Sequence, residues 1–400
     1  MDVTNKNTKV LLIGCTGFLG GRLTEILYKK NLYDITVTSN SFSGNGLARA
    51  AKYPVKIIHF NMLNKAAIEK SINGFDVVIN GSYIKGGKDS TKKSIEGTKN
   101  IIEASIKNNV KHFIQISSAA VFEPDQTEIK DETSSFIRKP DDYVNTKLKT
   151  EQMVSSLLNS KLNLVTKYTI IRPTRIYGPY SGYWTERILD GLRHNKKVLL
   201  EDFKQNPSNF VYVDDVCSAI SSSIMNEAAF NNDFNINGER ELTWEVLLNG
   251  FQDIIDTKKN VQTSSLNRIK SINKDKVRKI FPNAINSLKQ ALLSNNSLEI
   301  FRNDLFLSSI YRTFYGKYRK AQTSLSYEPE LNAENLDDYS FLDKYFVKDM
   351  IAKTYISSAK IHEQLDLDIN FNFEKALIEI DSWNSFFSRE EQVIEEMYSK

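Results

Sequence analysis

Tyr143 and Lys147 stand four residues apart. On a helix that spacing puts both side chains on one face. An ammonium beside a phenol favours the phenolate and lowers its pKa from about 10. Such a phenol exchanges a proton with an alcohol near neutral pH. Twenty-five residues before Tyr143, Ser118 sits in Ile116-Ser117-Ser118-Ala119-Ala120-Val121-Phe122, at the end of an apolar run. A serine hydroxyl there can hydrogen-bond the same substrate oxygen. These are the requirements for moving a hydride to or from a carbinol carbon. Tyr-x-x-x-Lys pairs also arise by chance on many helices, so the reading depends on its surroundings.

Gly14-Cys15-Thr16-Gly17-Phe18-Leu19-Gly20 follows the apolar run 10–13 and precedes a helical pattern over 22–30. Small residues between a strand and a helix let the backbone approach a pyrophosphate. The helix N-terminus supplies free N–H groups and the positive end of a dipole. Three glycines alone are a weak signal, and their place between strand and helix strengthens it.

Further apolar runs lie at 35–38, 55–60, 76–80, 113–117, 168–172 and 210–213. Helical patterns lie at 65–72, 94–108 and 142–158. The alternation predicts an α/β fold: a doubly wound parallel Rossmann sheet, followed by a smaller C-terminal substrate-binding part with a helical insertion. The expected division is 1–172 for the NAD(P)-binding domain and 173–400 for the substrate-binding part. The latter interleaves with the sheet near 210–216, and 255–350 is a basic, mainly helical insertion.

Composition narrows the class. Hydrophobic residues are 40% and charged residues 26%, which excludes a disordered chain and a membrane channel. The first seven residues hold no apolar run, so no secretory leader is expected. Two cysteines, Cys15 and Cys217, argue against a disulfide scaffold and point to the cytoplasm. Four scattered histidines and two cysteines offer no metal-ligand spacing, so no metal is expected. A net charge of +4 is too mild to imply nucleic acid.

The Gly-x-x-Gly-x-x-Gly spacing with the Ser118, Tyr143 and Lys147 set resembles the extended short-chain dehydrogenase/reductase superfamily, the NAD-dependent epimerase/dehydratase type that modifies nucleotide sugars. The resemblance covers about 8–250, with a weaker echo in 356–386. Ile95-Glu96-Gly97-Thr98, Arg172-Pro173-Thr174-Arg175-Ile176-Tyr177-Gly178-Pro179 and Phe210-Val211-Tyr212-Val213-Asp214-Asp215 extend it. It implies Tyr143 as acid/base, Lys147 also on the nicotinamide ribose, and Ser118 orienting the substrate. It implies cofactor contacts from Gly14, Thr16, Gly17, Phe18, Leu19, Gly20, Ser39, Asn40, Asn61, Met62, Gly81, Ser82 and Pro173. Substrate contacts would come from Lys85, Ser118, Thr174 and Arg175. Asp215 orders the fold rather than doing chemistry. A homodimer through two long helices is expected on the same ground.

Several positions depart from the family pattern. Ser39 stands where an acidic residue often accepts the ribose hydroxyls of NAD, which tilts the expectation toward NADP over NAD, with Arg49 or Lys52 near the 2′-phosphate. Asn61 replaces an aspartate, and Ser94 replaces a helix asparagine. Ala119 and Ala120 stand where dehydratases carry an Asp-Glu pair and decarboxylating relatives a glutamate. Ser208 replaces an arginine that clamps the substrate diphosphate.

From 258 to 320 fourteen Lys/Arg face three acidic residues, a charge of +11 against −7 elsewhere. The segment reads first as a lid or dimer arm. It reads next as an anion clamp using Arg268, Arg278, Arg302 or Arg312. Membrane-surface contact through Phe306, Tyr311, Phe314, Tyr315 and Tyr318 is the weakest reading. The expected function is an NAD(P)-dependent oxidoreductase acting at a secondary alcohol or ketone carbon of a nucleotide sugar, a 4-epimerase or keto-reductase and not a dehydratase. The alternatives are a dehydrogenase of a hydrophobic alcohol, such as a steroid or terpenoid, and a non-catalytic cofactor-binding scaffold.

Overall fold

Strand β1 (Lys9–Ile13) is buried at four of its five positions. Val10 and Leu12 enter one core cluster, and Leu11 and Ile13 enter another. A strand buried on both faces has to lie inside a covered sheet, which is why it reads as an unbroken apolar run. The computed structural model describes residues 8–40, 45–86, 89–123, 129–138, 140–159, 165–255, 259–269, 341–367 and 372–398.

The chain continues through α1 (Phe18–Lys30), β2 (Asp34–Ser39), α2 (Asn45–Ala50), β3 (Lys56–His59), α3 (Lys65–Ile72), β4 (Val77–Asn80), α4 (Ser90–Lys107) and β5 (His112–Ile116). There follow β6 (Ile129–Lys130), α5 (Asp142–Asn159), β7 (Lys167–Pro173), β8 (Arg175–Tyr177), α6 (Arg187–Arg193), β9 (Leu199–Leu200) and β10 (Phe210–Tyr212). Then come α7 (Val213–Ser223), β11 (Asn232–Ile236), α8 (Trp244–Ile255) and β12 (Thr263–Ser264). The last described elements are α9 (Lys344–Ile351), β13 (Tyr355–Ile356), α10 (Ala359–Leu365) and α11 (Phe373–Tyr398).

Seven strands form the central sheet in the order β11-β7-β5-β4-β1-β2-β3, and every pairing is parallel. One face packs Ile68, Ile101 and Val154, from α3, α4 and α5. The other packs Leu23, Val216 and Leu247, from α1, α7 and α8. This is the doubly wound α/β fold expected. Near 210–213 the outcome differs in detail. Strand β10 pairs with β8 outside the main sheet, and Val213 already opens α7. The strand that rejoins the sheet is β11, in register with β7. Its sequence, Asn-Asp-Phe-Asn-Ile, carries too little apolar signal to read as a buried strand.

Most of the basic segment, including Arg278, Arg302, Arg312 and the aromatic positions from Phe306 to Tyr318, lies outside the described residues. The described stretches at either end of the expected 255–350 insertion pack on the core. Strand β12 pairs with β9. Helix α9 is capped by Asp343 and buries Phe346 against Trp184 and Trp244. Arg22 of α1 grips Asp214 of α7 with two bonds of 2.6 Å. Among the described residues no helix is long and apolar enough to cross a membrane, and no cluster of His, Cys, Asp or Glu could hold a metal.

His112 of β5 is fully buried. Its Nδ1 accepts from Met225 N at 3.2 Å, so Nε2 carries the proton and faces Thr169 Oγ1 at 2.8 Å. Burial pushes its pKa down to about 3. The unfolded chain takes up this proton near 6.5, and the folded chain does not until about 3. The native state therefore loses stability as pH falls through that window, by about 1.4 kcal/mol per unit in its middle. Denaturant titrations between pH 6 and 5 should show a steeper loss for the wild type than for His112→Gln. Parallel slopes would refute the assignment.

Candidate active site

Helix α1 is preceded by Gly17, whose backbone is extended and offers no side-chain cap, and its first turn holds no acidic residue. Its leading N–H groups are thus left for an anion. Gly14 has φ +98°, and a Cβ there would lie 3.0 Å from the Gly81 carbonyl carbon. A Cβ on Gly20 would lie 2.2 Å from Gly14 O. At Gly17 a Cβ would meet only Gly14 O, at 3.5 Å, so that side of the loop stays open. This bare backbone cradle fits a dinucleotide pyrophosphate. Thr16 and Gly17 are exposed, while Phe18 and Leu19 pack into the core.

The other expected cofactor positions lie along the same sheet edge. Ser39 ends β2 and is buried, with Asn40 exposed beyond it. Asn61 Oδ1 accepts from Leu63 N at 2.9 Å. Met62 packs onto Gly97, where a Cβ would lie 2.3 Å from its Cε. Gly81 N donates to Ile13 O at 2.9 Å, and Ser82 Oγ to Asn80 Oδ1 at 2.6 Å. Ser94 Oγ accepts from Ile84 N at 3.0 Å, tying this loop to α4. Pro173 is buried at the end of β7. Of the two cations expected near a 2′-phosphate, Arg49 donates instead to Gly17 O at 3.2 Å and Phe18 O at 3.1 Å, and lies 4.5 Å over the Tyr180 ring. Lys52 is exposed.

Strand β5 lies between β4 and β7, so its C-terminal end adjoins the cradle side of the sheet. There Lys147, 7% exposed, donates from Nζ to Ile116 O at 2.9 Å and docks α5 onto the strand end. Tyr143, one turn earlier, stands in the first turn of the helix. Ser118 opens the tight turn 119–121, its Oγ accepts from Ala120 N at 3.2 Å, and it stands close enough to the Tyr143 phenol to favour its charged form. Ser117 Oγ is buried with no partner among the described residues. The fold thus brings Ser118, Tyr143 and Lys147 together.

Their protonation differs from expectation. Lys147 Nζ lies 5.8 Å from the Tyr143 ring centre, yet the phenol is not depressed. Burial pushes the Tyr143 phenol above its ordinary value, and Ser118 only partly opposes this. The residue as a whole is 40% exposed, but its hydroxyl end is crowded by protein atoms. Burial lowers Lys147 to about 8, partly offset by the charge of Glu151. Loss of water penalises both charged forms, the ammonium and the phenolate alike.

The expected substrate contacts scatter. Lys85 is exposed on the loop after β4. Thr174 Oγ1 donates to Asn237 Oδ1 at 2.8 Å. Arg175 is occupied inside the protein: it pairs with Asp349 at 2.7 Å, donates to Ser208 O at 2.8 Å, and lies 5.6 Å from both the Trp184 and Trp244 rings. Ser208 Oγ donates to Leu242 O at 2.6 Å. Two neighbours were not anticipated. Tyr83 meets Tyr143 edge-on at 5.4 Å, from a loop without periodicity. Arg172 binds Glu151 at 2.8 Å, and the placement of Glu151 four residues after Lys147 was the available signal.

The profile of the NAD dependent epimerase/dehydratase family matches residues 10–237. A UDP-N-acetyl-alpha-D-glucosaminuronate decarboxylase of Bacillus cytotoxicus is 27% identical over 252 residues, 58% of this chain and 76% of that protein. The human sterol-4-alpha-carboxylate 3-dehydrogenase, decarboxylating, is 27% identical over 223 residues, 53% of this chain and 56% of that protein. The UDP-glucose 4-epimerase of Thermotoga maritima, solved with UDP-glucose, superposes with a TM-score of 0.62 at 17% identity, over 95% of this chain and 99% of that one. That likeness shows the fold. With more than half of its length matched by the family profile, the chain belongs to the NAD dependent epimerase/dehydratase family and is an NAD-dependent enzyme of the extended short-chain type.

Proposed function

We propose that the protein oxidises or reduces a secondary alcohol or ketone carbon of a nucleotide-activated sugar, as a 4-epimerase or keto-reductase. The observation that carries this reading is the convergence of Ser118, Tyr143 and Lys147 at the end of β5, beside the glycine cradle. NAD, when bound, supplies the hydride acceptor or donor. The cradle and α1 hold the dinucleotide. Ser118 donates to the reacting oxygen and orients it. Tyr143 takes the alcohol proton or returns it to the ketone. Lys147 anchors α5 and offers its ammonium to the ribose. We assign residues after 173 to the substrate half, and read the protein as a cytoplasmic homodimer. Both cysteines are free and buried, in keeping with a reducing compartment.

A second reading is a dehydrogenase of a hydrophobic alcohol such as a steroid. Ser208 in place of a clamping arginine, and the engagement of Arg175 by Asp349, favour it. A panel of UDP-, GDP-, dTDP- and CDP-sugars against sterols, by calorimetry with NAD(H) and NADP(H) present, separates the two. Binding of sterols and of no nucleotide sugar would overturn the first reading.

Tyr143→Phe should leave dinucleotide binding intact and lower turnover at least about 100-fold, the low end for a lost general acid/base. An unchanged rate would remove Tyr143 from the chemistry. Ala119 and Ala120 cannot give or take a proton. Purified protein should therefore form no 4-keto-6-deoxy product from a nucleotide hexose, as followed by mass spectrometry. Appearance of that product at an enzymatic rate would refute the exclusion of dehydration.

A further inference from the structure

Arg49 stands in the last turn of α2 and reaches back to the cradle. Its Nη2 donates to Gly17 O at 3.2 Å and to Phe18 O at 3.1 Å. A trans peptide carries its C=O and its N–H on opposite sides. The Gly17 carbonyl therefore shares a peptide plane with the Phe18 N–H, and the Phe18 carbonyl with the Leu19 N–H. Those two N–H groups open α1, where the helix itself supplies no acceptor. The guanidinium thus grips, from the carbonyl side, two peptides whose other side offers donors to an anion.

Two neighbours seat it there. On one side is Gly21, where a Cβ would come 2.1 Å from Arg49 Nη2 and 3.0 Å from its Cζ. Glycine inside a helix is less favourable than alanine. At position 21 the missing side chain is what lets the guanidinium lie against the first turn of α1. On the other side the Tyr180 ring centre is 4.5 Å away. Gly46 brings α2 close to the same loop, since a Cβ there would lie 2.0 Å from Thr16 O. Glu25, the acid one turn beyond Gly21, is held by Arg22 at 3.0 Å and Lys29 at 2.6 Å. Among the described residues Arg49 forms no ion pair, so its charge remains on the peptides that it grips.

A carbonyl that accepts from a cation polarises its peptide, and the N–H at the far end becomes a stronger donor. We propose that Arg49 is a positioning residue for the dinucleotide: through the carbonyls of Gly17 and Phe18 it orients and polarises the peptides whose N–H groups receive the pyrophosphate. This role rests on the reading of the cradle as the dinucleotide site. It differs from the expectation that the arginine meets a 2′-phosphate. NAD and NADP both carry the pyrophosphate and only NADP carries the 2′-phosphate, so the two roles separate by ligand.

The test is calorimetric titration of the full chain with NAD and with NADP, and titration with adenosine followed by NMR. Arg49→Ala should weaken NAD and NADP alike by about tenfold, near the scale of one hydrogen bond to a charged group. Adenosine lacks the pyrophosphate and should bind this variant as it binds the wild type. Unchanged affinity for NAD in folded Arg49→Ala overturns the proposal. So does a loss confined to NADP, which returns the arginine to the 2′-phosphate. An equal loss for adenosine overturns it too, because the site would then have loosened as a whole. Should Arg49→Ala not fold, Gly21→Ala keeps the charge in the chain and evicts it from its seat, and the same three outcomes decide. Wild type that binds neither dinucleotide overturns the cradle reading and this role with it, whereas a binding wild type and an unweakened variant overturn the role alone.

Discussion

A lysine ammonium buried at the end of a central strand is the constraint on which the rest of the site depends. Lys147 is removed from water and has to find an oxygen acceptor, and the carbonyl of Ile116 at the end of β5 is the one it reaches. That bond, with the packing of Val154 and Leu158 and the Glu151–Arg172 pair, seats α5 on the sheet. With the helix fixed, Tyr143 one turn earlier is carried to the same strand end. There the chain turns sharply at Ser118, beside the phenol. The parallel order of the sheet then places this cluster near the glycine cradle, since β5 pairs with β4 and β4 with β1.

The same burial sets the protonation of the pair. A phenol and an ammonium both lose water here, and each is pushed toward its neutral form. The phenol therefore holds its proton more tightly than a free tyrosine, and the ammonium holds its own less tightly than a free lysine. In the protein by itself the lysine would lose its proton before the tyrosine does. A Tyr-Lys pair is thus no proof of a ready base, and the charges around it decide its state.

Much of the architecture was legible from the sequence. The helical pattern at 65–72 coincides with α3, and the apolar runs at 10–13 and 113–117 fall within a residue of β1 and β5. Strands buried on both faces leave a plain signal, and the glycine cradle announces itself between strand and helix. The seventh strand was not legible, because Asn232, Asp233 and Asn235 interrupt it. Charge partners were not legible either. Arg175 meets Asp349 from beyond the basic segment, and Arg49 meets backbone carbonyls of α1. Such pairings depend on tertiary approach, and residue type reveals only that a cation needs a partner. The phenol expectation failed for a related reason: spacing places Lys147 near Tyr143 but is silent on how much water either retains.

The central claim is that Ser118, Tyr143 and Lys147 form one acid–base unit at the dinucleotide edge of the sheet. The most direct measurement is a pH titration of the Tyr143 phenol by NMR of ring-labelled tyrosine, assigned with Tyr143→Phe, first without nucleotide and then with NAD. The account predicts a midpoint above the free-tyrosine value of about 10 in the protein alone, and a changed midpoint once NAD is added. A midpoint below 10 without nucleotide, or a titration indifferent to NAD, would contradict it.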